Sequence, residues 1–181
     1  YKLIHMMGSH YPVTLDDQGR RVPEQDTDVV KQTRGALLAV EQYMDELKRL
    51  DIYDETTIIV TADHGYWYLA DEIDGPTSPF LLVKPAEDAA QAAEPMKTSW
   101  APVSQHDLAA TLLKAMGDPS YHEWGTPVDE VPEDQPRTRY YDATSVADYH
   151  DYYAIKEWAI DGDVRDWDAW TETGKEWPIV D

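Results

Sequence analysis

Apolar positions along the chain change their period several times, and each change marks an element. Thr56-Thr57-Ile58-Ile59-Val60-Thr61-Ala62 is a β-branched, apolar run that ends abruptly at Asp63-His64-Gly65. A run of this kind bounded by a turn residue predicts a buried strand, and strands of a parallel sheet are apolar on both faces. Residues 1–7 predict another buried strand, followed by the turn Gly8-Ser9-His10-Tyr11-Pro12. Between the two strands the spacing becomes three and four. Leu37, Val40, Met44 and Leu47, widened by Ala36, Tyr43 and Leu50, lie opposite Glu41, Asp45, Glu46, Lys48 and Arg49. This predicts an amphipathic helix that begins near Asp26 or Thr27, either of which can cap it, and reaches about Leu50. Strand, helix and strand in that order, with a short link over 51–55, form the unit that makes neighbouring strands parallel.

Further along, Pro79–Pro85 predicts a third strand closed by proline. Ser104 can cap another helix, with Asp107 at its third position returning the bond to the cap's backbone. Leu108, Leu112, Leu113 and Met116 form the expected buried stripe of that helix, and Gly117 stops it. Residues 13–25 and 120–136 read as polar loops, and 87–96 as an alanine-rich surface excursion. The Tyr-rich segments 139–143 and 152–160 predict antiparallel strands laid on an edge of the sheet, with a turn at Asp161-Gly162-Asp163 and then Trp167, Trp170 and Trp177. The expected fold is α/β, a mostly parallel sheet flanked by helices with a small antiparallel β addition at the carboxyl end. Residues 1–181 read as a single domain, with the α/β core portion over 1–117 and a tail of loop and edge strands over 118–181.

Composition narrows the function classes. With 36 acids against 15 bases, the formal net charge of −21 argues against binding nucleic acid or an anionic membrane without a bridging cation. The chain has no cysteine, which excludes a disulfide framework and a thiolate metal site. No apolar run is long enough to span a bilayer. The first residues lie inside a predicted strand and follow no initiator Met, so the chain reads as the carboxyl-terminal part of a longer protein. A strand edge at 1–7 would invite pairing with another chain.

Asp63 and His64 fall outside the carboxyl end of a strand, where open α/β sheets bind their ligands. An ionised Asp and a neutral His are both ligands for a divalent metal such as zinc or manganese. A catalytic metal needs three or four ligands, and His5 and His10 are the nearest further candidates by topology. Histidine beside a metal can also donate to an oxyanion or act as a general acid. Tyr66-Trp67-Tyr68-Leu69 follows, ahead of Asp71, Glu72 and Asp74; its rings either stack on a substrate or anchor the loop in a core. His106, in the first turn of a helix, reads as a structural or exposed residue.

Taken together these segments resemble the alkaline phosphatase and sulfatase superfamily, especially its lipoteichoic acid synthases and phosphoethanolamine transferases. His5-Met6-Met7-Gly8-Ser9-His10 is similar to the family's His-x-x-Gly-Ser-His segment, and Leu50 to Gly65 to its metal-binding strand. Pro79 to Pro85 and Val103 to Leu113 resemble its later strand and helix. The resemblance implies an alkaline-phosphatase-like fold, incomplete at its amino-terminal side, in which Asp63 and His64 ligate a divalent metal, manganese or zinc rather than calcium. It implies that His10 approaches the transferred phosphate or sulfate as a catalytic group, with His5 on the substrate side; Tyr66 and Trp67 join the substrate side on the reading of the aromatic loop alone. The family's nucleophile and further acidic ligand come from earlier strands, so the chain alone is expected to be inactive. The substrate implied is a small-molecule or glycolipid phosphate or sulfate ester, and the setting is the extracytoplasmic domain of a membrane-anchored bacterial protein. Tyr66-Trp67-Tyr68 departs from the transferases, which continue with Glu-Ser, and His64 departs from arylsulfatases, which more often carry Asn there. A different class of function, an aromatic-rich glycan-binding module that kept the fold without the chemistry, would also suit the Tyr and Trp content.

Overall fold

Helix α1 spans Val29–Arg49 in the computed structural model, which describes residues 1–65, 78–86, 95–145, 148–164 and 166–179. The chain divides into two compact units, Tyr1–Thr57 with Ala86–Ala93 and Ile58–Pro85 with Glu94–Asp181.

In the first unit the cap of α1 is Asp28, whose carboxylate accepts from Lys31 N at 2.8 Å. Neither of the expected caps serves. Thr27 is unavailable because its hydroxyl donates to Leu15 O. Lys48 and Arg49 close the last turn, where cations complement the helix dipole. The helix ends in a Schellman motif: Ile52 N donates to Leu47 O at 3.1 Å and Asp51 N to Lys48 O at 3.0 Å, with Asp51 in the left-handed region at φ 58°. Leu47 is buried and Ala36, Val40 and Met44 are half-buried, whereas Leu37, Tyr43 and Leu50 of the predicted stripe are exposed. The buried face instead runs through Gln32 and Gly35.

A short hairpin over 14–22 covers that face. Asp16 N donates to Arg20 O, Val22 N donates to Thr14 O, and Leu15 bridges to Arg21. The Asp16 carboxylate accepts from Gln18 N and Arg20 N, and the Arg20 backbone bond holds its pKa below the ordinary carboxylate value. The polar loop expected over 13–25 is therefore an ordered element, with Val13 buried beneath it.

Residues 1–7 do not form the predicted strand. A strand exists only where a neighbour takes its N–H and C=O groups, and this segment carries no ladder and is exposed throughout. It runs instead into a turn in which His10 N donates to Met7 O at 2.9 Å and Gly8 adopts φ 49°. The turn is fastened to α1 by Ser9 Oγ at 2.8 Å from Thr33 Oγ1.

The second unit begins with β1, Ile58–Thr61, paired antiparallel with β2, Leu81–Lys84. The expected parallel sheet is corrected here: all strand pairings among the described residues are antiparallel. A parallel mate for β1 was to come from residues 1–7, which supply no ladder, and the strand beside β1 is its successor returning alongside it. With one neighbour each, β1 and β2 are half-buried rather than sealed on both faces.

Helix α2 spans His106–Ala115. Its Asp107 accepts from Ser104 N at 2.7 Å, one half of the expected capping box, and the helix starts one residue later than a Ser104 cap would set. The face it buries carries Asp107, Ala110 and Thr111, while Leu108, Leu112 and Leu113 are half-buried and Met116 is exposed. The reason is what packs there. The 120–136 segment forms two 3-10 turns, Tyr121–Trp124 and Val128–Glu130, and Val128 N donates to Thr111 Oγ1 at 3.0 Å. Lys114 adds ion pairs to Asp129 and Glu130. Gly117, at φ 77°, closes α2 with a second Schellman motif, Asp118 N donating to Leu113 O at 2.9 Å.

The tail is a sheet of its own, in the order β3-β4-β5, and not an addition to the edge of the first ladder. Its strands are β3, Arg137–Ser145, β4, Asp148–Ile160, and β5, Trp170–Pro178. It can stand apart because it has its own core: Ile160 and Trp170 pack with Trp158, Val164, Trp167 and Ala169. The Trp170 indole N–H donates to Val164 O at 2.9 Å. At an irregular register between Lys156 and Trp158, buried Glu157 accepts from Thr173 Oγ1 at 2.9 Å and pairs with Lys175 Nζ at 3.0 Å.

Candidate metal centre

The last rung of the β1–β2 ladder is Thr61 opposite Leu81, and Thr61 Oγ1 donates to Phe80 O at 2.8 Å. Beyond it the chain leaves the ladder, and Asp63 and His64 follow on the turn. Their side chains are 85% and 47% exposed. Adjacent residues on a regular strand point to opposite faces, but here the turn brings the two together: His64 Nε2 stands 3.9 Å from Asp63 Oδ1. His64 N donates to Asp63 Oδ1 at 3.1 Å, which fixes the acid against its neighbour's backbone.

The imidazole is oriented as well. Its Nδ1 lies 2.7 Å from Gly65 O, and a carbonyl can only accept, so in the neutral ring Nδ1 carries the proton and Nε2 the lone pair. A histidine held by one nitrogen with the other exposed is in the form that binds a metal. Two tetrahedral ligands at zinc-type bond lengths are about 3.4 Å apart, close to the separation seen. The pair therefore fits half a metal site. Among the described residues no group of three or more His, Asp or Glu side chains is arranged to complete it.

Gln105, which the sequence reading passed over as part of a helix start, reaches this turn. Its Nε2 donates to Ala62 O at 3.0 Å and also to Asp63 O. No periodicity signals such a contact, because it joins residues 42 and 43 positions apart.

His5 and His10 belong to the first unit. Both are exposed. The His10 ring donates through Nδ1 to Tyr11 O at 2.5 Å, and its carbonyl accepts from buried Gln32 Nε2 at 2.7 Å. His10 borders a cavity of about 390 Å³ that Met7, Tyr11, Gln18, Gln32 and Gln42 also line, within the size range of small-molecule sites. Tyr66 and Trp67 lie outside the described residues. His106 is exposed.

A family model for sulfatases matches residues 2–118. The chain belongs to the sulfatase family. This places it in the alkaline phosphatase and sulfatase superfamily, whose sulfatases generally use a divalent metal. Neither a curated protein nor a solved structure matches it significantly. The sulfatase match takes in His5, His10, Asp63, His64 and all of α2, and it ends one residue past Gly117. The three-stranded sheet of this sulfatase chain lies beyond the matched region. No helix among the described residues is long and apolar enough to cross a membrane.

Proposed function

We propose that the chain is the carboxyl-terminal part of a metal-dependent hydrolase or transferase of sulfate or phosphate esters, with Asp63 and His64 ligating manganese or zinc rather than calcium. One observation carries the reading: His64 Nε2 and Asp63 Oδ1 stand 3.9 Å apart past the end of β1, with the other ring nitrogen already committed to Gly65 O. A bound divalent ion would polarise the ester and stabilise charge on the transferred group. On this reading His10, its Nδ1 bound to Tyr11 O, serves as a proton carrier through Nε2. His5, Tyr66 and Trp67 contribute to holding the substrate, a small-molecule or glycolipid ester. On this reading the nucleophile and the remaining ligands come from upstream, the chain alone is inactive, and the whole protein is a membrane-anchored bacterial protein that acts outside the cytoplasm.

The test is hydrolysis of p-nitrophenyl sulfate and p-nitrophenyl phosphate by the protein with its upstream region, at graded manganese and zinc. Asp63→Ala and His64→Ala should each abolish metal-dependent turnover. Hydrolysis that survives Asp63→Ala would eliminate the proposal.

A second reading, the glycan-binding module, draws on the tail. Tyr140 and Trp177, 52% and 46% exposed, place their rings 5.8 Å apart on one sheet, an arrangement on which sugar faces can stack. Oligosaccharide binding that survives Asp63→Ala and is lost in Trp177→Ala would favour it.

A further inference from the structure

Past Thr61 no ladder bond fixes the backbone that presents Asp63 and His64. The acid is 85% exposed, so side-chain packing does little to set its position. Among the described residues, the amide of Gln105 reaches the turn from elsewhere in the chain, donating to the two consecutive carbonyls of Ala62 and Asp63. Gln105 stands at the N-cap position of α2 but makes no side-chain cap bond there. Its amide is directed to the β1 turn instead.

Gln105 is itself held in place. The carboxylate of Asp107, 1% exposed, accepts from Ser104 N at 2.7 Å and from both terminal nitrogens of Arg137 at 2.8 and 2.7 Å. Ser104 precedes Gln105, and Arg137 is the first residue of β3. Hydrogen bonds thus tie β3 to the start of α2 through Arg137, Asp107 and Ser104, and the next residue along the backbone, Gln105, bonds the carbonyls on either side of the Asp63 Cα. Two-point guanidinium–carboxylate contacts of this kind fix orientation as well as distance.

We infer that Gln105 is a positioning residue for the Asp63-His64 pair, and that the Arg137–Asp107 contact transmits its placement from the carboxyl-terminal sheet. The inference rests on the reading of Asp63 and His64 as metal ligands. It gives the tail a part in the chemistry through Arg137. Outer contacts that orient metal ligands typically change metal affinity about 10- to 100-fold when removed.

The test compares Gln105→Glu, an isostere without the donor, with Gln105→Ala, Arg137→Lys and Asp63→Ala in the full chain. Three quantities are read: melting temperature, amide hydrogen exchange at residues 62–65, and broadening of the His64 ring NMR signals on titration with Mn²⁺. Both Gln105 variants should keep the parent melting temperature, exchange about tenfold faster at 62–65, and need about 10- to 100-fold more Mn²⁺ for the same broadening. Arg137→Lys, which loses the two-point contact, should move the last two quantities in the same direction. If Asp63→Ala weakens Mn²⁺ binding and the Gln105 variants do not, the ligand reading stands and the positioning role is overturned. If Asp63→Ala leaves Mn²⁺ binding unchanged, the ligand reading fails. Should the chain bind no Mn²⁺, exchange at 62–65 decides, and parent-like exchange in Gln105→Glu overturns the inference.

Discussion

The side-chain amide of Gln32 donates to the main-chain carbonyl of His10 at 2.7 Å, tying the candidate catalytic histidine to a buried residue in the first turn of α1. The same amide accepts from Thr14 N at 2.7 Å and Leu15 N at 3.2 Å. Gln32→Leu would leave these groups without that partner, and buried polar groups so orphaned cost about 1–3 kcal/mol each. A loss of roughly 3 kcal/mol is expected from the first unit, read as a lower urea midpoint of the α1 helical signal, together with altered NMR shifts at His10.

Gly35 presents two opposing effects. Alanine is better than glycine in a helix by about 1 kcal/mol. A Cβ at position 35, however, would lie 2.4 Å from Asp16 O and 3.1 Å from Gly19 Cα, both of them backbone atoms. Overpacking against a backbone that cannot yield costs about 1–3 kcal/mol, so Gly35→Ala should be destabilising on balance. Greater stability of the variant would show that the hairpin moves aside.

Asp51→Gly should go the other way. Asp51 holds φ 58° at the end of α1, where glycine carries no steric penalty. A gain of about 0.5–1 kcal/mol is expected, measured as a raised melting temperature. A fall would mean that the aspartate side chain contributes more than its backbone conformation costs.

Arg137→Ala strands the buried carboxylate of Asp107. Removing one member of a buried ion pair is expected to cost about 3–5 kcal/mol, visible as a lower denaturation midpoint of the second unit. Combining it with Asp107→Asn should recover part of that loss, because the stranded charge is then gone.

Glu130 and Glu157 contribute pH-dependent stability to the second unit. Both are held below their ordinary value of 4.5, Glu130 first by the Lys114 hydrogen bond and Glu157 first by that from Lys175 and then Thr173. A carboxylate depressed in the folded state contributes stability above its unfolded value and loses it as pH falls through the folded one. The contribution should be complete above the ordinary value and fall away as pH drops below it through the depressed folded one. In Glu157→Gln the drop in melting temperature between neutral and acid pH should be smaller, and an equal drop would remove Glu157 from this account. Lys114 behaves oppositely: Asp129 and then Glu130 raise it above its ordinary 10.5, so its contribution holds below that value and is lost as pH climbs through the raised one.

The local elements were legible because local residues decide them. The spacing of Val40, Met44 and Leu47 gives α1, the β-branched run gives β1, and Gly117 gives the end of α2. Pairing was not legible: nothing in Ile58-Ile59-Val60-Thr61 says whether its neighbour precedes or follows it, and the direction of the ladder turns on that alone. Residues 1–7 have an apolar composition suited to a strand but no partner to make them one. Buried polar residues were the other blind spot. Gln32, Asp107 and Glu157 carry the side chains of a wet surface, and each is buried because donors from distant segments converge on it. The candidate centre shows the same division, since Asp63 and His64 stand out in the sequence whereas Gln105 does not.

The tail sheet also limits its own growth. β5 lies at its edge and presents Glu172, Lys175 and Glu176 before ending at Pro178, with every residue after Trp170 exposed. Charged side chains and a terminal proline make a poor template for a fourth strand. A protein so rich in tyrosine and tryptophan would otherwise offer neighbouring molecules a continuous ribbon to extend. On the β5 side the outermost strand disfavours that extension.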